Sequence, residues 1–260
     1  MLSFNFMKKL LLPISLLYSL ILLIRHKFYD WGLLKSRSFD IPNICVGNLN
    51  LGGTGKTPHS EYLIRLLSDK YKVAVLSRGY GRKTNGFILA NENHTHNDIG
   101  DEPLQYFKKF NNIYVAVDEN RCNGMRQMLQ QETPPQIVLL DDAYQHRKIK
   151  AGLNILLTDY YNLYSNDNLI PAGNLRDIKK AARRAEIIVV TKSPNVITPY
   201  YRKDIEDSLK PLPHQKVFYS YIEYQDFQPF SKISYESDIK DAKTVFSSAE
   251  SQTHIHWKTI

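Results

Sequence analysis

Cysteine is nearly absent: Cys45 and Cys122 are the only two in 260 residues. That excludes a disulfide framework or a cysteine-bound structural metal, and it fits a reducing compartment. There is no low-complexity tract, no internal repeat and no nucleic-acid recognition motif. The basic residues are scattered along the chain, so no nucleic-acid partner is expected. Acidic residues are the scarcer charge, 26 against 34 basic ones, and the net charge of +8 suits an anionic partner such as an acidic membrane or a phosphorylated substrate. With 43% hydrophobic and 23% charged residues, the chain has the makings of a globular core. A small-residue cleavage site is also missing after the apolar run Leu10–Ile24. That run is preceded by Lys8-Lys9 and followed by Arg25, His26 and Lys27, then by bulky Phe28, Tyr29 and Trp31. It contains Pro13 and falls short of the ~20 apolar residues of a typical span. An interfacial or shallowly inserted helix is therefore expected, ahead of a single span or a buried core helix.

After this anchor, short apolar strands alternate with helical patterns. Strands are expected around Ile44–Val46, Lys72–Leu76, Ile113–Val117, Ile137–Leu140, Asn154–Thr158 and Ile187–Thr191, with a hairpin strand at Gly86–Ala90. Helices are expected near Thr57–Leu67, Arg121–Gln131 and, strongly basic, Ile178–Ala185. This pattern indicates an α/β fold with a mainly parallel sheet and helices on both faces, in which ligands sit at the carboxyl ends of strands. Four prolines, Pro194, Pro199, Pro211 and Pro213, mark a boundary, and Lys216–Tyr224 reads as a strand opening a smaller second α/β unit. The expected division is a membrane-associated helix at 1–27, a main domain at 28–210, and an incomplete second domain at 211–260.

The motifs fall at strand ends. Residues 52–58 read GGTGKTP after the strand Ile41–Val46, the pattern of a phosphate-binding loop. Asn50, Leu51, Gly52, Gly53, Thr54, Gly55, Lys56 and Thr57 would wrap a nucleotide's phosphates. Lys56 supplies a point charge, the Thr57 hydroxyl a Mg²⁺ ligand, and the following helix its positive dipole end. Asn50 stands where the common form has glycine, and asparagine tolerates positive φ better than most residues. The strand Ile137–Leu140 ends in Asp141-Asp142, the arrangement of a P-loop enzyme's acidic Mg²⁺ site, with one carboxylate holding the metal directly or through water. Gly100-Asp101-Glu102-Pro103 supplies either a general base or metal contact, or merely a helix start. Arg78 and Tyr80 in SRGYG, and Arg176 in PAGNLR, present groups that bind phosphate or stack on a ring. His146 follows the two aspartates and reads as a structural or contact residue rather than a base.

Taken together, GGTGKTP, SRGYG, GDEP, DDAYQHR and PAGNLRD, in one order over residues 10–245, resemble the lipid A 4′-kinase (tetraacyldisaccharide 4′-kinase) family, whose members also begin with a membrane-associated helix. The resemblance implies transfer of the ATP γ-phosphate to the 4′-hydroxyl of a tetraacylated glucosamine disaccharide 1-phosphate, at the cytoplasmic face of the bacterial inner membrane. ATP and Mg²⁺ are then the expected cofactors. Lys56 and Thr57 would contact them, with Asp141, Asp142 and Glu102 at the metal and Asp101 as the base. Arg78, Tyr80, Arg121, His146 and Arg176 become substrate or phosphate contacts. The competing readings are a different P-loop NTPase and a non-catalytic nucleotide- or lipid-binding form.

The family carries a late Asp-His-His motif in its second domain, and this sequence has none. The tail from about 247 reads SSAESQTHIHWKTI, where the family would have a glycine-containing strand end and then Asn-Pro. One permitted codon choice for this tail, read two bases onward, yields ITNPYPLENYL. A shifted frame near Phe246 is therefore the expectation, with low stability or weak activity for this chain on its own.

Overall fold

The computed structural model describes residues 2–224 and 253–258. They form nine strands: β1 (Asn43–Asn48), β2 (Val73–Ser77), β3 (Ile88–Leu89), β4 (Tyr114–Val117), β5 (Ile137–Asp141), β6 (Leu153–Asp159), β7 (Ile187–Thr191), β8 (Lys216–Tyr224) and β9 (Thr253–Lys258). Their order in one sheet is β3-β4-β2-β5-β1-β6-β7-β8-β9. From β4 to β8 all neighbours run parallel, and the two edge strands are antiparallel. The helices are α1 (Leu2–Asp30), α2 (Lys56–Ser68), α3 (His96–Ile99), α4 (Asp101–Lys109), α5 (Arg121–Leu129) and α6 (Pro199–Leu209).

Side-chain alternation along the strands splits the core into two layers. Val73 and Val75 of β2 pack with Ile64 of α2 and Tyr106 of α4 on one face. Ala74 and Leu76 pack with Met125 and Met128 of α5, and with Leu22 of α1, on the other. Strands buried on both faces read as continuous apolar runs because no side of them meets water. In the register, Val46 of β1 pairs with Asp141 of β5. The glycine-rich loop after β1 and the acidic pair after β5 therefore emerge side by side.

Lys216–Tyr224 is a strand, as expected. As β8 it pairs in parallel with β7, and α6 is the crossover between them. Pro199 occupies the first turn of α6, where its missing N–H costs nothing. The expected second unit is described only in part: residues 225–252, including the start of the tail expected to be out of frame from about 247, lie outside the described residues. The basic segment Ile178–Ala185 forms a tighter 3₁₀ helix, Lys179–Arg184, and Gln215 Nε2 takes the Ala182 and Ala185 carbonyls at 2.9 and 2.8 Å. The expected hairpin at Gly86–Ala90 is instead the two-residue edge strand β3.

Helix α1 runs well beyond the apolar stretch and continues through Pro13. Its 21 residues from Leu10 to Asp30 are long and apolar enough, by length and composition alone, to cross a bilayer, which the shorter apolar run did not indicate. One stripe of it is bound to the body. Ser15 Oγ donates to Leu169 O (2.9 Å) and accepts from Ala172 N (3.0 Å), and Tyr18 OH donates to Arg176 O (3.1 Å). Arg25 Nη2 donates to Gln145 O at 2.9 Å. His26 Nε2 meets the buried Asp177 carboxylate at 2.6 Å. Ser15, Tyr18, the buried Leu22 and His26 recur at three- and four-residue steps, the spacing of a single helix face, and Arg25 lies on its flank. The opposite face exposes Ile14, Leu17, Ile21, Ile24, Phe28 and Trp31.

Across the sheet's other face, His59 of α2 is fully buried. Its Nδ1 lies 2.6 Å from Gly55 O and its Nε2 2.9 Å from Ser220 Oγ on β8. Burial pulls its pKa from 6.5 down to about 4, against the opposing hydrogen bond to Gly55. Below pH 6.5 the unfolded chain gains a proton that the folded chain refuses, so this contribution to stability is full above 6.5 and falls away toward pH 4. Thermal melting across that window is expected to show a shallower decline in His59→Gln than in the wild type. Parallel declines would contradict it.

Candidate active site

At the carboxyl end of β1 the fully buried Asn48 side chain organises the loop from inside. Its Nδ2 donates to Thr54 Oγ1 at 2.7 Å and to Gly52 O at 3.3 Å. Gly55 caps α2 in the left-handed region, at φ 81°, which a side chain would resist. Lys56 is the first residue of the helix, and its ammonium lies 3.9 Å from Asp142 Oδ2. Asn50 does not use the positive φ expected of it. It bridges to Leu175, and its Nδ2 donates to Asp167 Oδ2 at 3.2 Å, which ties the loop to the segment after β6.

The two aspartates differ sharply. Asp141 is buried behind the strand end and accepts from Ser60 Oγ at 3.1 Å, while its Oδ2 has no protein partner. Burial, then the charges of Glu102 and Asp142, push its pKa up to about 7. Asp142 faces the cavity at φ 45°, a strained conformation for a non-glycine residue. Arg176 grips it with both terminal nitrogens, Nη1 to Oδ2 at 3.0 Å and Nη2 to Oδ1. Burial would raise the Asp142 pKa, but Arg176, with Lys56 and Arg121, holds the carboxyl below its ordinary range.

Opposite, Asp101 and Glu102 form the first turn of α4, so GDEP is a helix start that also lines the cavity. Glu102 Oε1 accepts from Thr57 Oγ1 at 3.3 Å, which links α4 to the loop. The SRGYG turn presses against this start. A Cβ on Gly100, at φ 90°, would lie 2.8 Å from Tyr80 O, and one on Gly79 would lie 2.9 Å from Ile99 O. Arg121 is buried, with Nη1 on Asp118 O (2.8 Å) and Nη2 on Asp141 O (3.0 Å). Burial lowers its pKa only to about 10, so it stays cationic at neutral pH. His146 is half-buried, its Nε2 has no protein partner, and burial with nearby Arg121, Lys148, Arg78 and Arg25 pulls its pKa to about 4.

These groups surround one cavity of ≈ 730 Å³. Of the sequence-derived set, Leu51, Lys56, Arg78, Tyr80, Asp101, Glu102, Arg121, Asp142, His146 and Arg176 line it. Asn50, Gly52, Gly53, Thr54, Gly55, Thr57 and Asp141 shape the loop and the strand end behind it. Five cationic side chains and three carboxylates line the wall, a balance suited to a polyanion. Arg25 is among the cations, and sequence reasoning had assigned it to the membrane anchor. Gln145 stood in the polar set after the two aspartates with no site role expected of it, although its Nε2 donates to Asn48 O at 2.6 Å. The polar stripe Ser15, Tyr18, Arg25 in an otherwise apolar helix was the available signal.

A family model described as LpxK: Tetraacyldisaccharide-1-P 4′-kinase matches residues 7–244. The chain belongs to this family. The tetraacyldisaccharide 4′-kinase of Flavobacterium johnsoniae is 54% identical over 220 residues, covering 85% of this chain and 65% of that protein. That of Bacteroides thetaiotaomicron is 50% identical over 222 residues, covering 85% and 58%. The chain thus spans less than two thirds of the length of these curated relatives. The crystal structure of Aquifex aeolicus LpxK in complex with ATP superposes with a TM-score of 0.72 at 34% identity, covering 85% of this chain and 67% of that one. The family's α/β architecture is therefore the architecture of this chain.

The glycine contact between the two turns is open to test in this family member. Gly100→Ala adds a Cβ against Tyr80 O at an unfavourable φ and is expected to lower stability by roughly 1–3 kcal/mol. Urea denaturation measures it, and an unchanged midpoint would mean that the turns do not need this close approach.

Proposed function

We propose that the protein transfers the γ-phosphate of ATP to the 4′-hydroxyl of a tetraacylated glucosamine disaccharide 1-phosphate, giving the 4′-phosphorylated lipid and ADP. The observation that carries this is the convergence of Lys56, Asp101, Asp142 and Arg176 on one cavity that the apolar helix α1 also enters, through Arg25. A nucleotide pocket and a membrane-seeking helix share a wall, as a kinase acting on a lipid requires. Family membership supports this choice of acceptor.

In this reading the loop from Asn50 to Thr57 wraps the triphosphate, and Lys56 neutralises its outer oxygens. Asp101 accepts the proton of the sugar hydroxyl as that oxygen bonds the γ-phosphorus and the β–γ bridging bond breaks. Arg78, Arg121 and Arg176 neutralise phosphate charge, while Tyr80 and neutral His146 contact the sugar at the mouth. The donors also fit Mg²⁺. The Thr57 hydroxyl and the Asp142, Glu102 and Asp141 carboxylates are all hard oxygen ligands, and Asp141 Oδ2 is buried without a protein partner. Among the described residues no three such side chains form a ready-made cage. Magnesium does not ask for one, since it takes one or two carboxylates and fills its shell with water and phosphate. When bound, the ion would offset charge on the β- and γ-phosphate oxygens.

We also place α1 along the bilayer surface, at the cytoplasmic face of the inner membrane, rather than through it. Its bonds to the body extend from Ser15 to His26, so inserting it across a bilayer would break them or pull the body into hydrocarbon. The outward face from Ile14 to Trp31 would enter the headgroup–acyl boundary instead.

Transfer of label from γ-labelled ATP to the disaccharide 1-phosphate lipid tests this function. Lys56→Ala and Asp101→Asn are each expected to cut transfer by roughly 10²–10⁴-fold. Release of free phosphate with no labelled lipid would instead assign a hydrolase.

A further inference from the structure

Two cavities lie along α1 outside the active site. The first, ≈ 220 Å³, is lined by Lys27, Arg147, Lys180, Arg183 and Arg184, with Asp30 the single carboxylate in its wall. The second, ≈ 230 Å³, is an open groove whose apolar wall is Leu12, Leu16, Leu169 and Leu175, with Ser15, Ser19, Asn168 and Lys179 also lining it. Ile178 belongs to both, so the basic cavity and the apolar groove adjoin.

Helical spacing fixes where they sit. Ser15, Tyr18, Leu22, His26 and Tyr29 follow the docked stripe. Arg25 falls on one flank of it, facing the active site, while Leu12, Leu16, Ser19, Leu23 and Lys27 fall on the other. That second flank borders the exposed apolar face. The groove therefore opens where α1 would meet acyl chains, and the basic cavity lies toward the polar end of the helix.

The charges there are not all spent internally. Arg147 pairs with Asp30 at 2.8 Å and Arg184 with Asp177 at 3.6 Å. Lys180 and Arg183 are exposed and have no carboxylate partner among the described residues. A bound anion would find two uncommitted cations beside two already fixed guanidinium groups. A group that is anionic at one end and apolar at the other matches both cavities at once.

We propose that this flank of α1 is a binding site for an anionic glycerophospholipid. Its phosphate sits in the basic cavity against Lys180, Arg183 and Arg184, and the start of one acyl chain lies in the groove of Leu12, Leu16 and Leu169. The site is separate from the catalytic cavity, on the opposite flank of the helix. It rests on the membrane-surface reading of α1 and adds to it a preference for negatively charged lipid.

Flotation of the full chain with phosphatidylcholine vesicles, with and without phosphatidylglycerol, tests the site. The wild type is expected to bind both and to prefer the anionic vesicles. Lys180→Glu/Arg183→Glu should keep its binding to neutral vesicles but lose roughly tenfold or more of its affinity for anionic ones. The charge-matched variant Lys70→Glu/Lys72→Glu, on the turn between α2 and β2 and outside both cavities, should retain the preference. Thermal melting checks that both variants are folded. Equal losses in the two variants would reduce the effect to diffuse charge and overturn the site, as would a preference undiminished in Lys180→Glu/Arg183→Glu. Loss of the preference to soluble glycerol 3-phosphate would reassign the basic cavity to free phosphate and overturn the lipid. Failure of the wild type to bind either vesicle would instead remove the membrane reading beneath it.

Discussion

The fork of Arg176 on Asp142 holds the site in one piece. Its Nη2 also reaches Asn48 Oδ1 at 2.5 Å, its backbone N–H bonds Leu49 O at 2.8 Å, and its carbonyl accepts the Tyr18 hydroxyl. One residue thus joins the end of β1, the turn after β5 and the helix α1. The strained backbone of Asp142 persists because the carboxylate is fixed from more than one side, by Arg176 and more distantly by Lys56. The same contacts keep it ionised at neutral pH, while Asp141, one residue away and buried without such partners, sits near neutrality. Adjacent carboxylates with such different environments can divide labour, one as a fixed charge and one as a proton-sensitive neighbour.

Helix α1 organises a second set of relations. Its docked stripe carries hydrogen bonds rather than apolar packing alone, and the buried Asp177 carboxylate anchors it through His26. Burial would raise that carboxyl's pKa, but the His26 hydrogen bond and charge, with Arg184, hold it below the usual range. Directed bonds of this kind fix the register of the helix on the body, which hydrophobic contact does not do by itself.

Much of this was readable from local pattern. A strand, a glycine turn and Lys-Thr announce their own geometry within ten residues, and Asp141-Asp142 marks a strand end because the apolar period stops there. GDEP supported two readings: the helix start is what the structure shows, and Asp101 also lines the cavity, where its role as base is the proposed one. What escaped depends on contacts distant in sequence. Arg25 looked like a flanking charge until the body of the protein met its helix. Asn50 looked like a glycine substitute, whereas its use is a bond to Asp167. His59 bonds Ser220, 161 residues away, so no window of sequence could pair them. The prolines before β8 are ambiguous in sequence because proline marks helix starts, as Pro199 does, and linkers alike.

Successive side chains on α1 are turned by about 100° about its axis. Arg25 and His26 are such neighbours: one points into the catalytic cavity and the other into the buried anchor. A helix lying on a bilayer with its apolar face down has no freedom to roll without lifting that face. The lipid surface would therefore set not only the height of the cavity but also its compass bearing. A substrate diffusing in the plane of the membrane would then meet the cavity mouth from one direction, and a search in three dimensions with random orientation would become a search in two with a fixed one.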